Sequence, residues 1–439
     1  MSPQRNARDA VITGMGFCLP GGVDGPVITH DDVWATASTG RSHLDNAGFF
    51  HGVVHGVQRV FTERFPDIPA RHLRSYAPVH LYGLLALDEA CRDAGLDFRA
   101  GDLVGAGVLT ARAGVDSNYD SYRAWHDADP ETISPSDAKS LFVSLVIAGT
   151  SSDVGVVQAS LCQSTGPTFT VSCGCASSSV LLGIARTLIA TDQCDLVVVT
   201  GADRFDTERM VHGDRLRQVV EREAVTVKHN SEPPASPRYD RPMRPYDARG
   251  DCMNFGDGAV TLIVESREHA DRRGARSHGS LLAQATTRGG LGSAVAIDTS
   301  GQALTNATMR CLDASGSTLA DVAYINGGAE GDPLFIRIES NAVASLYGSR
   351  PSVLVSSQEA CFGHSGAPLG NLGAALTLMM MQRRQVCPTA NCEQPSEVLT
   401  FDPVPGRLTR QLDFDQALSF NYQYGGVTSA LLLGRPDEH

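Results

Sequence analysis

The 439-residue sequence is short of lysine, lacks any run of basic residues and carries a formal net charge of −13. Lys139 and Lys228 are its only lysines, so arginine supplies almost all the positive charge. Nucleic acids bind clusters of basic side chains, and we therefore expect no nucleic-acid partner. No apolar run approaches the roughly 20 residues that a membrane span requires. Because the polar N-terminus also lacks the apolar segment of a signal peptide, we expect a cytoplasmic protein without a membrane association.

The cysteines give no sign of a disulfide framework or a metal site. There are 11, an odd number, and they are scattered without CxxC pairs. Cys173 and Cys175 lie too close together for an ordinary disulfide or for two corners of a zinc site. We therefore expect reduced thiols, as in the cytoplasm, and predict neither a metal nor a cofactor.

Short apolar runs and longer helical patterns indicate an α/β protein. Hydrophobic residues make up 42% of the chain and charged residues 19%, which is typical of a globular protein. A strand, a helix and a strand at residues 168–172, 177–190 and 196–200 form a βαβ unit, which predicts a parallel sheet. Further strands are predicted at residues 11–13, 104–109, 322–326, 353–356, 418–421 and 430–433, and further helices at 82–95 and 372–382.

Breaks in this pattern divide the chain in two. Gly14 and Gly16 predict a turn after the first strand. Residues 219–245 are rich in proline and charge, and they are predicted to form a surface insertion. A second break at residues 266–279 is rich in arginine and glycine. We therefore expect two α/β halves, residues 1–265 and residues 280–439.

The first candidate for chemistry is Cys175, in the segment VSCGCASSS at residues 171–179. It lies between a predicted strand and the first turn of a predicted helix, where free N–H groups and the helix dipole favour a negative charge on sulfur. The same N–H groups can stabilise the oxyanion that forms when a thiolate attacks a thioester. The alternative is a buried structural cysteine.

Three further segments suggest parts of a site, and each also has an ordinary structural explanation. His364 follows a glycine-rich turn after a predicted strand, where it can act as a general base, although a single histidine is more often structural. In YQYGG at residues 422–426, the two glycines predict a tight turn that either brings N–H groups to a site or simply joins two strands. Residues 244–259, rich in Asp and Arg, suggest a buried ion-pair loop beside a site or a solvated loop.

Together and in this order, these segments resemble the β-ketoacyl synthase (condensing enzyme) family of fatty-acid and polyketide synthesis. The likeness runs from VITGMG at residues 11–16 through the block at 244–259 to residues 421–428. It implies a thiolase-like fold, in which two related α/β halves form a layered α-β-α-β-α body, usually in a dimer. It also implies that Cys175 accepts an acyl group from a carrier protein and that His364 is the second of two catalytic histidines.

The chain departs from the family's pattern at the residues that support decarboxylative condensation. Gly328 occupies the position of the first histidine, close to Glu330. Glu359 stands where the family has a lysine, five residues before His364, and Gly373 where it has the glutamate paired with that lysine. Losing one preorganised donor to an oxyanion costs roughly 10²–10³ in rate. Carboxylates facing the pocket would further disfavour an enolate and a malonyl carboxylate.

The last segment also differs from the family's pattern. Gln423 replaces a glycine, and Tyr424 replaces the gating phenylalanine that precedes Gly425. We expect Gln423, Tyr424 and Gly425 to contribute to substrate binding or to an oxyanion hole.

Three functions remain open at this point. In the first, Cys175 is acylated and the acyl group passes to an amine, an alcohol, a thiol or another carrier, with Glu330 or Glu359 as the base that activates the acceptor. In the second, the protein still forms carbon–carbon bonds, with Glu330 or a water replacing the missing imidazole. In the third, it is a non-catalytic partner similar to a chain-length-factor subunit, although such subunits typically lack the cysteine. We favour the first, because acylation requires only a thiolate, backbone donors and His364, and because loss of the first histidine marks transacylating members of the family.

The expected partner under all three hypotheses is an acyl carrier protein that bears a phosphopantetheine-bound acyl thioester. Carrier proteins are acidic, so docking requires a local basic patch, for which Arg209, Arg215 and Arg217 are candidates. The resemblance also implies either a homodimer or a heterodimer with a related ketosynthase.

Overall fold

The computed structural model describes most of the chain, namely residues 6–46, 49–69, 73, 75–113, 116–149, 153–206, 212–213, 215–216, 240–290, 297–348 and 352–436. The insertion predicted at residues 219–245 lies mostly outside these residues, as do two of the candidate docking arginines, Arg209 and Arg217. Arg215 is described and is exposed.

The strands of the described chain are, in order, β1 (Ala10–Cys18), β2 (Asp45–Asn46), β3 (Phe49–Phe50), β4 (Gly107–Ala111), β5 (Thr168–Val171), β6 (Leu196–Asp203), β7 (Gly258–Ser266), β8 (Gly279–Arg288), β9 (Val322–Asn326), β10 (Leu354–Ser356), β11 (Gln385–Val386), β12 (Arg410–Gln411), β13 (Gln416–Gln423) and β14 (Val427–Gly434).

The helices are α1 (His30–Ser38), α2 (Val57–Arg64), α3 (Pro78–Ala94), α4 (Asp116–Asp127), α5 (Pro135–Ala148), α6 (Asp153–Cys162), α7 (Ser177–Ala190), α8 (Arg267–Arg272), α9 (Gln302–Ser315), α10 (Pro333–Tyr347), α11 (Glu359–Phe362) and α12 (Leu369–Arg383). Single 3₁₀ turns lie at Phe98–Ala100 and Leu319–Asp321.

The main sheet repeats one strand order twice. Its ten strands lie in the order β10-β9-β13-β14-β8-β1-β7-β6-β4-β5. Read from each end, both groups of five place their strands in the same chain order: third, second, fourth, fifth and first. The pairing directions also match, because the two pairs nearest each end are parallel and the next two pairs antiparallel. The two predicted halves therefore share a topology, and their exact residue boundaries stay a prediction.

Helices form three layers around the two groups of strands. Helices α7 and α12 contact each other and contact strands from both groups, so they form the central layer. Helix α3 packs on β1 and β7 at one outer face, and α9 packs on β8 and β14 at the other. Residues of α12 from Leu369 to Met381 are all buried, as a layer enclosed on both sides requires. The predicted layered α-β-α-β-α architecture is confirmed.

The turn predicted at Gly14 and Gly16 is wrong, because β1 continues through both residues to Cys18. The two glycines serve close packing instead. A Cβ atom at Gly14 would lie 2.3 Å from the carbonyl oxygen of Ala90, and one at Gly16 would lie 2.0 Å from that of Ala86. Glycine lets another backbone approach a strand closely, and here it lets α3 lie directly on β1.

Most other predicted elements are present with shifted ends. The helix predicted at residues 177–190 has both bounds as expected. The helix predicted at 82–95 begins earlier, at Pro78, and ends before Gly95, whose φ of 67° is a left-handed cap. The strand predicted at 104–109 begins only at Gly107, because the N–H of Val104 closes a turn onto the carbonyl of Gly101.

Within the described residues, no single helix has both the length and the apolar composition of a membrane span. The bent pair α5 and α6 meets those two criteria only when its helices are taken together.

Candidate active site

Cys175 lies at the beginning of α7, as predicted. The connection from β5 turns at Gly174, whose φ is 54°, and α7 begins at Ser177. The Ser177 hydroxyl accepts from the Cys173 N–H at 2.7 Å and donates to the Gly174 carbonyl at 2.5 Å. These two hydrogen bonds fold the segment back on the helix start, and Cys175 stays partly exposed on it.

His364 is held by its backbone in the loop between α11 and α12. Its N–H donates to the Asn254 carbonyl at 2.8 Å, and its carbonyl accepts from the Gly256 N–H at 3.2 Å. Residues 254–256 belong to the block that was predicted to lie beside a site. The ion pair predicted there forms but is only half buried, since Arg249 Nε lies 2.7 Å from Oδ1 of buried Asp247 while the Arg249 side chain is exposed. The backbone contacts, however, are the part of the block that positions His364.

Three side chains form a continuous chain of hydrogen bonds. The sulfur of Cys175 lies 2.7 Å from Nε2 of His364, and Nδ1 of the same ring lies 2.7 Å from Oε2 of Glu359. His364 and Glu359 are both buried. A nucleophile, a base in contact with it and a carboxylate that orients the base make up the arrangement of a nucleophilic triad.

The ring of His364 favours its protonated form. Burial alone would lower the pKa of His364, but the sulfur of Cys175 and the carboxylate of Glu359 raise it well above the ordinary value. An imidazolium between a sulfur and a carboxylate stabilises a thiolate on one side and is stabilised by the carboxylate on the other. The sulfur of Cys175 therefore lies against a ring that favours the imidazolium form.

A narrow cavity opens at the Cys175 sulfur. Its volume is about 10 Å³, room for about one water molecule. An acyl chain therefore requires lining side chains to move. The cavity is lined by Cys175, Gly328, Glu330, Phe335, Glu359, His364, Leu369, Asn421, Tyr422 and Tyr424.

Glu330 and Glu359, the two carboxylates considered as facing the pocket, both line this cavity. Their hydrogen bonding differs. Glu359 is engaged with His364, whereas the Glu330 carboxyl has no hydrogen-bond partner from another described residue. Glu330 is only 2% exposed. Burial raises the pKa of Glu330 well above its usual value, nearby His364 opposes that rise, and Glu359 adds to it.

Gly328, at the position of the family's first histidine, is closely packed against neighbouring residues. A Cβ atom at Gly328 would lie 2.5 Å from the Phe420 carbonyl oxygen and 3.2 Å from the Tyr422 ring. The Gly328 N–H donates to Glu339 at 2.8 Å, and the hydroxyl of Tyr422 donates to the same carboxylate. Tyr246 donates a third hydrogen bond to Glu339. The backbone of Phe420 and the ring of Tyr422 therefore leave no room for a Cβ atom at residue 328.

The segment at residues 422–426 is the hairpin that joins β13 to β14. Tyr424 reaches the cavity, and its hydroxyl is buried without a hydrogen-bond partner. Gln423 lies close to Gly174, in the connection that carries Cys175. It lines a neighbouring cavity, which shares Phe335 and Tyr422 with the first. Gly425 lies in the turn, and its carbonyl accepts from Arg288 Nε at 3.0 Å. Of the three residues, only Tyr424 lines the cavity beside Cys175.

Sequence reasoning missed Glu339 and Asn421. Glu339 lies on a face of α10 that also carries the buried residues Phe335, Ile338 and Ala342. An acidic residue on an apolar helical face was the available signal, because buried carboxylates require partners. Asn421 lies on β13 and lines the cavity, with an Oδ1 atom that no described residue contacts by a hydrogen bond. Its place depends on strand register, which the letters do not reveal.

Two sequence profiles match adjacent parts of the chain and together cover most of it. The profile described as "Beta-ketoacyl synthase, N-terminal domain" matches residues 7–270, and the one described as "Beta-ketoacyl synthase, C-terminal domain" matches residues 278–393. The chain belongs to the β-ketoacyl synthase family. The predicted family is therefore confirmed.

Relatives include a 3-oxoacyl-[acyl-carrier-protein] synthase and a subunit of a polyketide synthase. The chain is 27% identical to the "3-oxoacyl-[acyl-carrier-protein] synthase 2" of Vibrio harveyi, over 97% of this chain and 98% of that protein. It is 26% identical to the "Tetracenomycin polyketide synthase ketoacyl synthase alpha subunit" of Streptomyces glaucescens, over 98% of each chain.

Solved structures share the fold. A β-ketoacyl synthase from Burkholderia phymatum aligns with a TM-score of 0.76 at 23% identity, over 98% of this chain and 100% of that one. The ishigamide ketosynthase/chain length factor aligns with a TM-score of 0.77 at 20% identity, over 98% and 100%. A type II ketosynthase in complex with its acyl-carrier protein aligns with a TM-score of 0.73 at 19% identity, over 98% and 100%.

Proposed function

We propose that this β-ketoacyl synthase family member is an acyltransferase. It loads an acyl group from a carrier-protein thioester onto Cys175 and passes that group to an acceptor other than a malonyl enolate. The observation that carries the proposal is the hydrogen-bonded chain from Cys175 through His364 to Glu359. Glu359 then orients and charges His364 instead of activating the acceptor itself, a different role from the one expected from the sequence.

The loading step needs only these three side chains and nearby backbone donors. The Cys175 proton resides on His364, and the thiolate attacks the carbonyl carbon of the thioester. The new carbon–sulfur bond forms as the bond to the pantetheine sulfur breaks, and the imidazolium returns its proton to the departing thiolate. N–H groups at the start of α7 are suited to stabilise the oxyanion between these steps.

Condensation lacks support in the same cavity. The position of the first imidazole is occupied by Gly328 and the ring of Tyr422. Glu330 and Glu359 line the space in which a malonyl carboxylate and its enolate would have to lie. Two carboxylates disfavour both anionic species, because like charges close together in a buried site repel strongly. The same charges do not hinder acylation by a neutral thioester.

The proposed donor is an acyl carrier protein in polyketide or related natural-product biosynthesis. This follows from the proposed loading step and from relatives whose names include polyketide and acyl-carrier-protein synthases. The retained contact between Cys175 and His364 argues against the non-catalytic, chain-length-factor-like alternative.

We also propose that the chain forms a dimer, either with itself or with a related ketosynthase. Strand β5 lies at one end of the main sheet and is partly exposed. Helix α6 packs on β5 and contacts α5, which contacts α4. Helices α4 and α5 present exposed large apolar side chains, among them Trp125, Phe142 and Val146, the last two more than 60% exposed. An open sheet edge beside exposed apolar residues is a surface that a partner commonly covers. Light scattering of the purified chain, alone and with a co-encoded ketosynthase, tests this expectation.

Intact-protein mass spectrometry tests the function. The native chain, Cys175→Ala and Cys173→Ala are incubated with acyl-carrier-protein thioesters of several chain lengths, and carbon dioxide release from malonyl carrier protein is followed in parallel. Cys173 is the matched control, because it is also partly exposed and lies in the same loop. We expect an acyl mass gain in the native chain and in Cys173→Ala, none in Cys175→Ala, and no carbon dioxide above background.

The other outcomes discriminate between the hypotheses. Formation of a β-ketoacyl product at the rate of an ordinary ketosynthase would overturn the proposal in favour of condensation. Absence of any mass gain, with or without a sister subunit, would leave the non-catalytic partner.

A further inference from the structure

Three polar side chains of residues that line the Cys175 cavity have no hydrogen-bond partner from any other described residue. They are the carboxyl of Glu330, Oδ1 of Asn421 and the hydroxyl of Tyr424. Glu330 and Asn421 are 2% and 4% exposed, and within the described chain no side chain or backbone group of another residue bonds to these atoms. An unsatisfied buried polar atom costs about 1–3 kcal/mol. Asn421 Oδ1 and the Tyr424 hydroxyl are such atoms, and among the described groups the Glu330 carboxyl beside them is bonded only by its own backbone N–H. Together, around one nucleophile, they indicate that a ligand completes their hydrogen bonds.

These groups call for hydrogen-bond donors. A carboxylate and an amide oxygen only accept, whereas the phenol can accept or donate. An alcohol brings one donor and a thiol one weak donor, but an ammonium group brings three. The described residues that line the cavity include no lysine or arginine. A cationic ligand favours the ionised form of Glu330, because a nearby positive charge opposes the rise in pKa that burial causes.

We infer that the acyl acceptor is a primary amine, so that the chain forms an amide. This inference rests on the proposed function and specifies its acceptor. Glu330 and Asn421 accept hydrogen bonds from the ammonium group, and Tyr424 lies within the same cavity to accept or donate one. Glu330 takes one proton from the ammonium and leaves a neutral amine beside the acylated Cys175. Burial raises the pKa of Glu330, so its carboxylate binds a proton more readily than that of an exposed glutamate, as a proton acceptor requires.

The transfer step balances within the cavity. The amine nitrogen attacks the carbonyl carbon of the Cys175 thioester, and the carbon–nitrogen bond forms as the bond to sulfur breaks. His364, now in its neutral form, accepts the second amine proton and pairs as imidazolium with the released thiolate. The products are an amide and the enzyme in its starting state, with one proton on Glu330 that passes to solvent.

The experiment begins from isolated acyl-enzyme, so that transfer is measured apart from loading. Acyl-Cys175 is prepared with a short acyl carrier-protein thioester and then mixed with propylamine, propanol or propanethiol. Loss of the acyl mass and appearance of the amide, ester or thioester are followed with time. Each rate is divided by the rate of the same acceptor with acyl-pantetheine in solution, which corrects for intrinsic nucleophilicity.

We expect the corrected acceleration to be largest for propylamine and to fall roughly 10- to 100-fold in Glu330→Gln and Asn421→Leu. Tyr424→Phe should show a smaller decrease. Glu63→Gln is the matched control, because Glu63 is an exposed carboxylate far from the cavity that pairs with Arg59. The yield of acyl-enzyme in each variant shows whether the variant is folded.

The failure of the inference is distinguishable from that of the proposed function. If no acyl-Cys175 forms, the proposed function fails. If acyl-Cys175 forms but propanol or propanethiol is accelerated as much as propylamine, or Glu330→Gln transfers to propylamine as fast as the native chain, the amine acceptor is wrong and loading stands.

Discussion

Nδ1 of His364 lies 2.7 Å from Oε2 of Glu359, so the histidine that faces the nucleophile is backed by a carboxylate. The family's lysine at this position would place a positive charge near the ring. The carboxylate instead favours the imidazolium and fixes the ring with Nε2 toward sulfur. Under the proposed function, this exchange of lysine for glutamate suits His364 to activate Cys175.

Replacing Glu359 with glutamine should slow acylation of Cys175 by roughly 10²–10⁴-fold, as in other triads whose orienting carboxylate is lost. The carboxylate raises the pKa of His364, so Glu359→Gln should lower it. The alkaline limb of the acylation rate, where the imidazolium is lost, should then move to lower pH. Rates of acyl mass gain across pH test this expectation. An alkaline limb at the native pH would show that Glu359 does not charge the ring.

Introducing the family's histidine as Gly328→His should not restore decarboxylation and should destabilise the fold. Any side chain at residue 328 meets the Phe420 carbonyl oxygen at 2.5 Å, and overpacking costs about 1–3 kcal/mol or more. Gly105→Ala is the control, since a Cβ there meets nothing within 4 Å. Denaturant unfolding and carbon dioxide release from malonyl carrier protein are the measurements. A stable variant that releases carbon dioxide would contradict the packing described here.

Glu339 should make stability depend on pH near neutrality. Burial raises its pKa from 4.5 to about 7, against hydrogen bonds from Tyr246, Tyr422 and Gly328. A carboxyl whose folded pKa is raised contributes stability that is fully present below pH 4.5 and is lost as pH rises through about 7. Relative to Glu339→Gln, the native chain should therefore lose about 3 kcal/mol of unfolding free energy across that window. The same pH dependence of the unfolding free energy in the native chain and in Glu339→Gln would refute this prediction.

Arg112→Met should destabilise the chain by about 3–5 kcal/mol, because it leaves buried carboxylates uncompensated. Arg112 is buried and pairs with Asp153 at 3.1 Å and with Asp203 at 2.8 Å. Arg59→Met is the control, since its pair with Glu63 is exposed and should be worth less than about 1 kcal/mol. Equal urea unfolding midpoints for Arg112→Met and Arg59→Met would contradict this prediction.

Local signals for strands and helices predicted an α/β protein with two halves, and the resemblance to the β-ketoacyl synthase family implied its layered arrangement. The helix at residues 177–190 combines a serine-rich start with an apolar run, and both bounds were predicted. Gly14 and Gly16 misled the reasoning, because glycine in a turn and glycine under a packed helix look alike in letters. Only the three-dimensional position of Ala86 and Ala90 distinguishes them.

The site was partly predictable for a similar reason. Cys175 and His364 follow local motifs, and both are where the motifs indicate. The role of Glu359 depends on which way a buried side chain points, and spacing from His364 alone allowed it to be either a base or an orienting group. Asn421 precedes the segment at residues 422–426, but the letters do not show that its side chain lines the cavity. Glu339 lies far from the motifs in sequence, and sequence separation hides its contacts with them.

The repeated strand order divides the catalytic pair between two equivalent pieces of chain. Cys175 precedes α7, which follows the third strand of the first group, and His364 precedes α12, which follows the third strand of the second group. Neither piece alone can bring the Cys175 sulfur into contact with the His364 imidazole. During refolding, the capacity to take up an acyl group should therefore return only when the two pieces have docked. It should return later than the helix content does, so that acylation reports completed assembly of the fold.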